Sequence, residues 1–176
     1  VELMEALRTR RSVRRWTADL VSDDKLKALV EAAARAPSGS NDQPWAFVII
    51  REKGKLQRLR AAAPGIAGRA AAVILLCLDR RRRDDVPGTP EYDMVLMSLG
   101  AAMQNLLLAA HAEGLGACAI GSFHAASLQS IVPLPSHLEL KLLIALGYPY
   151  QQPKAPPLRP LSELCYFEEV GPDGHH

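Results

Sequence analysis

Apolar residues recur at helical spacing in Leu26, Leu29, Val30 and Ala33, behind Ser22, Asp23 and Asp24. A capping hydroxyl followed by acidic first-turn residues predicts a helix that starts after Ser22. That helix must stop at Ala36, because Pro37 disfavours helical geometry in the residue before it. Shorter helical patterns are predicted at residues 2–8 and 55–62. Residues 46–50, 71–78, 117–123 and 138–146 predict four strands, the second buried on both faces because no polar position alternates along it. Residues 93–114 predict a helix of about six turns. Apolar residues occupy nearly every face of it, so it is expected to be buried all round.

That helix is almost long enough to cross a bilayer, but Ser98, Gln104, Asn105 and His111 interrupt it, which argues against a membrane span. Burial against a second copy of the chain explains it better, with Gly100, Ala101 and Ala102 allowing close helix approach. The 176 residues and 48% hydrophobic content predict one folded domain, residues 1–170. Residues 171–176 end in His175 and His176 and resemble a purification tag. A net charge of +2 and 5% aromatic residues give no footprint for nucleic acid. The basic run at residues 80–83 is followed at once by Asp84 and Asp85 and reads as a solvated loop. Cys77, Cys118 and Cys165 are widely spaced and odd in number, and the histidines lack i, i+4 pairing. Neither a disulfide framework nor a metal site is expected, and a reducing compartment, the cytoplasm, follows.

Two segments carry the chemistry. Arg10, Arg11, Ser12, Arg14 and Arg15 cluster guanidinium forks, which match phosphate oxygens in two-pronged geometry, around one hydroxyl. Pro37, Ser38, Gly39, Ser40, Asn41 and Gln43 form a loop of small residues, where backbone can approach a flat ligand and amides can meet a heteroaromatic edge. Two further motifs follow in order, residues 114–121 (Gly-Leu-Gly-Ala-Cys-Ala-Ile-Gly) and 145–149 (Ala-Leu-Gly-Tyr-Pro). Together these resemble the nitroreductase family of FMN-dependent oxidoreductases, over residues 2 to 167.

The resemblance implies an α+β fold with a central mixed or antiparallel sheet flanked by helices. It also implies a homodimer with FMN at the subunit interface, and a C-terminal extension swapped onto the partner's sheet. Pro149, Pro153, Pro156, Pro157 and Pro160 suit such an extended path, with residues 161–167 adding a strand. By the same resemblance Arg10, Ser12 and Arg159 would hold the phosphate and ribityl chain, with Arg11 close by. Arg14 would face the pyrimidine side of the ring, Pro37, Ser38, Gly39 and Asn41 would come from the second subunit, and the Ile120, Gly121 and Ser122 backbone would lie under the ring. No nucleophile or general base is needed, because the cofactor does the chemistry and the protein supplies orientation and charge. The implied reaction is ping-pong transfer from NADH or NADPH through FMN to a nitroaromatic, quinone or related small acceptor. Two alternatives stand beside it. One is a non-catalytic flavin-binding dimer, the other a specialised relative that fragments flavin, dehalogenates or oxidises heterocycles. The connection at residues 79–93 and the stretch at 51–70 are shorter than in larger members. The pocket roof and the pyrimidine-edge amide and lysine therefore have no assigned counterparts, Arg69 being a candidate substitute.

Overall fold

A computed structural model describes residues 2–168; the tail at 171–176 lies outside the described residues. Four strands form one antiparallel sheet in the order β1-β2-β4-β3. They are β1 (Trp45–Ile50), β2 (Ala72–Asp79), β3 (Gly116–Ile120) and β4 (Leu138–Gly147). The expected choice of mixed or antiparallel pairing resolves to antiparallel, with one isolated parallel bridge between Ser12 and Ala117. All eight residues of β2 are buried. Ile74, Leu76 and Leu78 face a core shared with helices α2 (Asp23–Ala34) and α4 (Pro90–Ala112), while Val73, Leu75 and Cys77 face a second core. Helices α3 (Lys53–Ala62) and α5 (Ala125–Ile131) cover that second core through Leu59, Leu128 and Ile131. A central strand covered on both faces has no polar side to show, hence its unbroken apolar run.

Helix α1 (Leu3–Thr9) leads into the basic segment, and α2 starts where Ser22 Oγ accepts from the Lys25 amide. Helix α4 starts three residues earlier than its pattern indicates, because the Thr89 hydroxyl accepts from the Tyr92 amide and Pro90 occupies the first helical position. It is not buried all round. Tyr92, Val95, Leu99, Ala102, Leu106 and Ala110 form a stripe in the core, whereas Met94 and Met97 are 54% and 65% exposed. One chain covers only one side of this helix. One other expectation is corrected, and one helix is new. Strand β3 ends at Ile120 rather than at Phe123, because the chain leaves β4 so that the His124 amide can reach the Ala62 carbonyl. Helix α5, capped by His124, lacks a sequence expectation because seven residues with two apolar anchors give too little periodicity. Within one chain the 161–167 segment holds a 3-10 turn at Leu161–Glu163, and Leu161 and Phe167 are 74% and 80% exposed. Among the described residues no strand edge of the same chain is paired with that segment.

Nor is the basic run at 80–83 merely a solvated loop. Arg81 grips the Asp79 carboxylate, Arg80 pairs with Glu139 and Asp84, and Arg83 bridges Asp42 and Asp85. The Arg81 hydrogen bonds hold the Asp79 carboxyl at about 2, below its ordinary 3.8. A folded value below the unfolded one means the stabilisation is complete above the ordinary carboxylate range and is lost as pH falls through the folded value. Asp79→Asn should therefore lower stability at neutral pH, with the difference from the parent closing as denaturation curves are repeated toward pH 2. A constant difference across that range would assign the effect to packing.

Candidate functional site

Residues 10–16 leave α1 as an extended arm along the free side of β3. The Val13 amide donates to the Ala117 carbonyl at 3.1 Å, the Thr17 amide to the Tyr148 carbonyl at 2.9 Å, and the Trp16 indole to the Gly116 carbonyl at 2.8 Å. Val13 and Trp16 are buried, while Ser12 and Arg14 are exposed and Arg10 half-buried. Alternation along extended backbone thus puts Arg10, Ser12 and Arg14 on the side opposite Val13. Neither the Arg10 nor the Arg14 guanidinium has a hydrogen bond or ion pair among the described residues. Both act on β3 beneath them. Burial pushes the Cys118 thiol up, and the charges of Arg14 and Arg10 oppose that rise.

Arg11 has a different task. Its guanidinium donates to the Arg8 and Arg10 carbonyls at 2.8 and 2.7 Å, satisfying the end of α1. The Thr9 hydroxyl donates to the Glu5 carbonyl at 2.7 Å, so its oxygen accepts from His111 Nε2 at 2.8 Å, and α1 is tied to α4. Burial, followed by the charges of Arg10 and Arg11, lowers the His111 pKa and favours the neutral ring. After Ile120, Gly121 and Ser122 are exposed beside the arm's strand.

The small-residue loop lies elsewhere. It joins α2 to β1 at the end of the sheet where Trp45 pairs with Leu78, whereas Ser12 bridges Ala117, level with Leu146 and Ala72. Six residues along β2 and four strand spacings, the arm lying one beyond β3, separate the two, roughly 20 Å and 19 Å. Pro37, Ser38, Gly39 and Asn41 therefore cannot meet Arg10, Ser12 and Arg14 within one chain. The loop is nonetheless shaped. Ser40, Asn41 and Gln43 all have positive φ, a costly conformation for non-glycine residues. Ser38 Oγ accepts from the Gln43 amide, and the Arg83 guanidinium clamps Asp42 at 2.6 Å. A Cβ at Gly39 would meet nothing within 4 Å, so the open side of the loop is free. Arg159 pairs with Glu163 at 3.1 Å, not with the arm, and is exposed. The Arg83–Asp42 clamp and the Trp16–Gly116 anchor have no sequence expectation. The run of four arginines flanked by Asp79, Asp84 and Asp85 signals local ion pairs, but nothing in it points to Asp42.

Unpartnered guanidiniums on an arm at the sheet edge, next to a glycine-serine turn, give this α+β protein a cationic surface there. The chain belongs to the Nitroreductase family, whose profile matches residues 7–66 and 61–148. It is 31% identical to an NADH dehydrogenase of Thermus thermophilus over 173 residues, covering 81% of this chain and 84% of that one. A structure from Desulfovibrio desulfuricans solved in complex with FMN superposes with a TM-score of 0.82 at 36% identity, covering 94% of this chain and 96% of the other. The NADPH:FMN oxidoreductase of Vibrio harveyi complexed with NAD+ does so at 0.82 and 27%, covering 97% and 80%.

Proposed function

We propose that this chain is an FMN-dependent NAD(P)H oxidoreductase that works as a homodimer, with residues 1–170 as one FMN-binding domain. The observation that carries the cofactor is the arm, where Arg10, Ser12 and Arg14 face outward together and the two guanidiniums lack protein partners. Such donors fit a phosphate and a heteroaromatic ring that gains negative charge. Arg10 and Ser12 would hold the phosphate, and Arg14 would keep a fixed cation at the pyrimidine side. Arg11, through its hold on α1, would position them. The Ile120, Gly121 and Ser122 backbone would support the ring. The bound flavin supplies the two-electron chemistry. The protein keeps one ring face open for a dinucleotide donor and then for a nitroaromatic or quinone acceptor.

The separation of the loop from the arm supports the dimer. Pro37, Ser38, Gly39 and Asn41 reach a flavin only if a second copy brings them. The second stripe of α4, Met94, Met97, Ala101, Gln104 and Leu108, is spaced for helix contact and is only partly covered in one protomer. The sheet supports the swapped extension: the arm covers the β3 edge, and the outer edge of β1 has no strand partner among the described residues. Residues 161–167 of the second copy, carrying exposed Leu161, Leu164 and Phe167, would pair there, and Arg159 would travel with them. The buried thiols of Cys77 and Cys118 suit the cytoplasm.

Arg10→Ala is expected to weaken FMN binding by about 1.5 to 3 kcal/mol, while riboflavin, which lacks phosphate, should bind parent and variant almost equally. Fluorescence titration measures both. Equal losses would remove Arg10 from the phosphate, and a parent protein that takes up no flavin would refute the cofactor.

A further inference from the structure

A groove of about 530 Å³ lies at the opposite side of the 63–70 loop from the proposed flavin-binding arm. One face of α3 lines it through Lys53, Leu56, Gln57 and Arg60, an i, i+3, i+4, i+7 set. Leu20, Ile66, Ala71 and Val73 provide an apolar floor and wall. Four cations, Arg51, Lys53, Arg60 and Arg69, stand around it, and no carboxylate lines it. The nearby carboxylates are engaged: Asp23 pairs with Arg51, Asp19 accepts from the Thr17 hydroxyl, and Glu52 caps α3. Lys53, Arg60 and Arg69 have no hydrogen bond or ion pair among the described residues. Three uncompensated cations over an apolar floor suit a ligand with several phosphate charges and a flat apolar group.

The groove also adjoins the flavin-binding arm. Gly68 lies so close to the Arg14 carbonyl that a Cβ would sit 2.6 Å from it, and Gly65 packs on Ile120 with a Cβ position 2.7 Å from that side chain. The 65–69 segment is thus a thin partition, with the ring-supporting strand and Arg14 on one side and the groove on the other. We propose that the groove takes the adenosine end of the dinucleotide donor, its base on the apolar floor and its pyrophosphate and 2′-phosphate on Lys53, Arg60 and Arg69, so that the protein prefers NADPH to NADH. This rests on the donor assignment made above.

The test is a Lys53→Gln, Arg60→Gln double variant of the FMN-loaded protein; both positions are exposed, so folding should be kept. Its KM for NADPH should rise about tenfold or more, its KM for NADH much less, with FMN affinity and acceptor KM unchanged. The parent's KM for NADPH should climb more steeply with salt than that for NADH. As a redox-silent probe, 2′-phospho-ADP-ribose should bind the parent better than ADP-ribose by calorimetry and lose that advantage in the variant. Unchanged NADPH kinetics in the variant, or equal binding of the two probes to the parent, would overturn the groove assignment. If the parent oxidises neither dinucleotide, the proposed oxidoreductase function fails, and the probe titration alone still decides the groove.

Discussion

Met97→Arg should turn a flavin-retaining dimer into a monomer that loses FMN on gel filtration. Met97 is 65% exposed in the protomer, so an arginine there costs the isolated chain little. In the proposed assembly the same position enters a helix-to-helix contact. A guanidinium buried there without a partner would cost on the order of 3 kcal/mol or more, enough to weaken dimerisation at least a hundredfold. Flavin loss follows from geometry. The loop at residues 37–41 and the arm at residues 10–14 are separated within one chain, so a monomer offers only half of the binding surface. Light scattering and the visible spectrum should change together. A monomeric parent with bound flavin would refute the shared site, and a dimeric Met97→Arg protein would move the interface away from this stripe of α4.

Most of the elements were legible because their signals are local. Ser22 ahead of two aspartates marks a helix start, and Pro37 marks its end. The β2 run announces a strand covered on both faces. The extent of burial around α4 was not legible, since apolar composition does not distinguish burial in one's own chain from burial in another. By length and mean hydropathy of 1.4 that helix could even cross a membrane, yet 39% of that stretch is buried within this chain, against α2 and the sheet. The tail posed the same problem. Residues 161–167 have strand-forming composition, but a strand requires a free edge, and that edge is not offered next to them by their own chain. For the site, residue types were legible and their meeting was not. Arg10, Ser12 and Arg14 share a side because the arm is zipped to β3, which depends on Trp16 reaching the Gly116 carbonyl a hundred residues away. Arg11 was expected close by the phosphate, and its bonds to the carbonyls at the end of α1 were not legible.

Gly116→Val should abolish FMN retention while leaving much of the fold in place. A Cβ on Gly116 would lie 2.6 Å from Val13 Cβ and 2.7 Å from both of its methyl groups. Val13 is 3% exposed and stiff at its branched carbon, so it cannot swing aside as the end of a long side chain could. Either β3 or the arm must shift. The sheet side is the stronger, because β3 is held by its ladder to β4 and by Cys118 and Ile120 in the core. The arm is held by a few bonds around Val13, Trp16 and Thr17. Overpacking at such a contact costs about 1 to 3 kcal/mol, which the arm can relieve by detaching. Arg10, Ser12 and Arg14 would then lose their common orientation, and donors that must be ordered on binding recover little of their interaction energy. Circular dichroism should stay close to the parent's while the flavin spectrum disappears. Proteolysis should open a new cleavage site among the arginines at residues 10–15. Full retention of FMN by Gly116→Val would show that the arm does not need its seat on β3 to hold the cofactor.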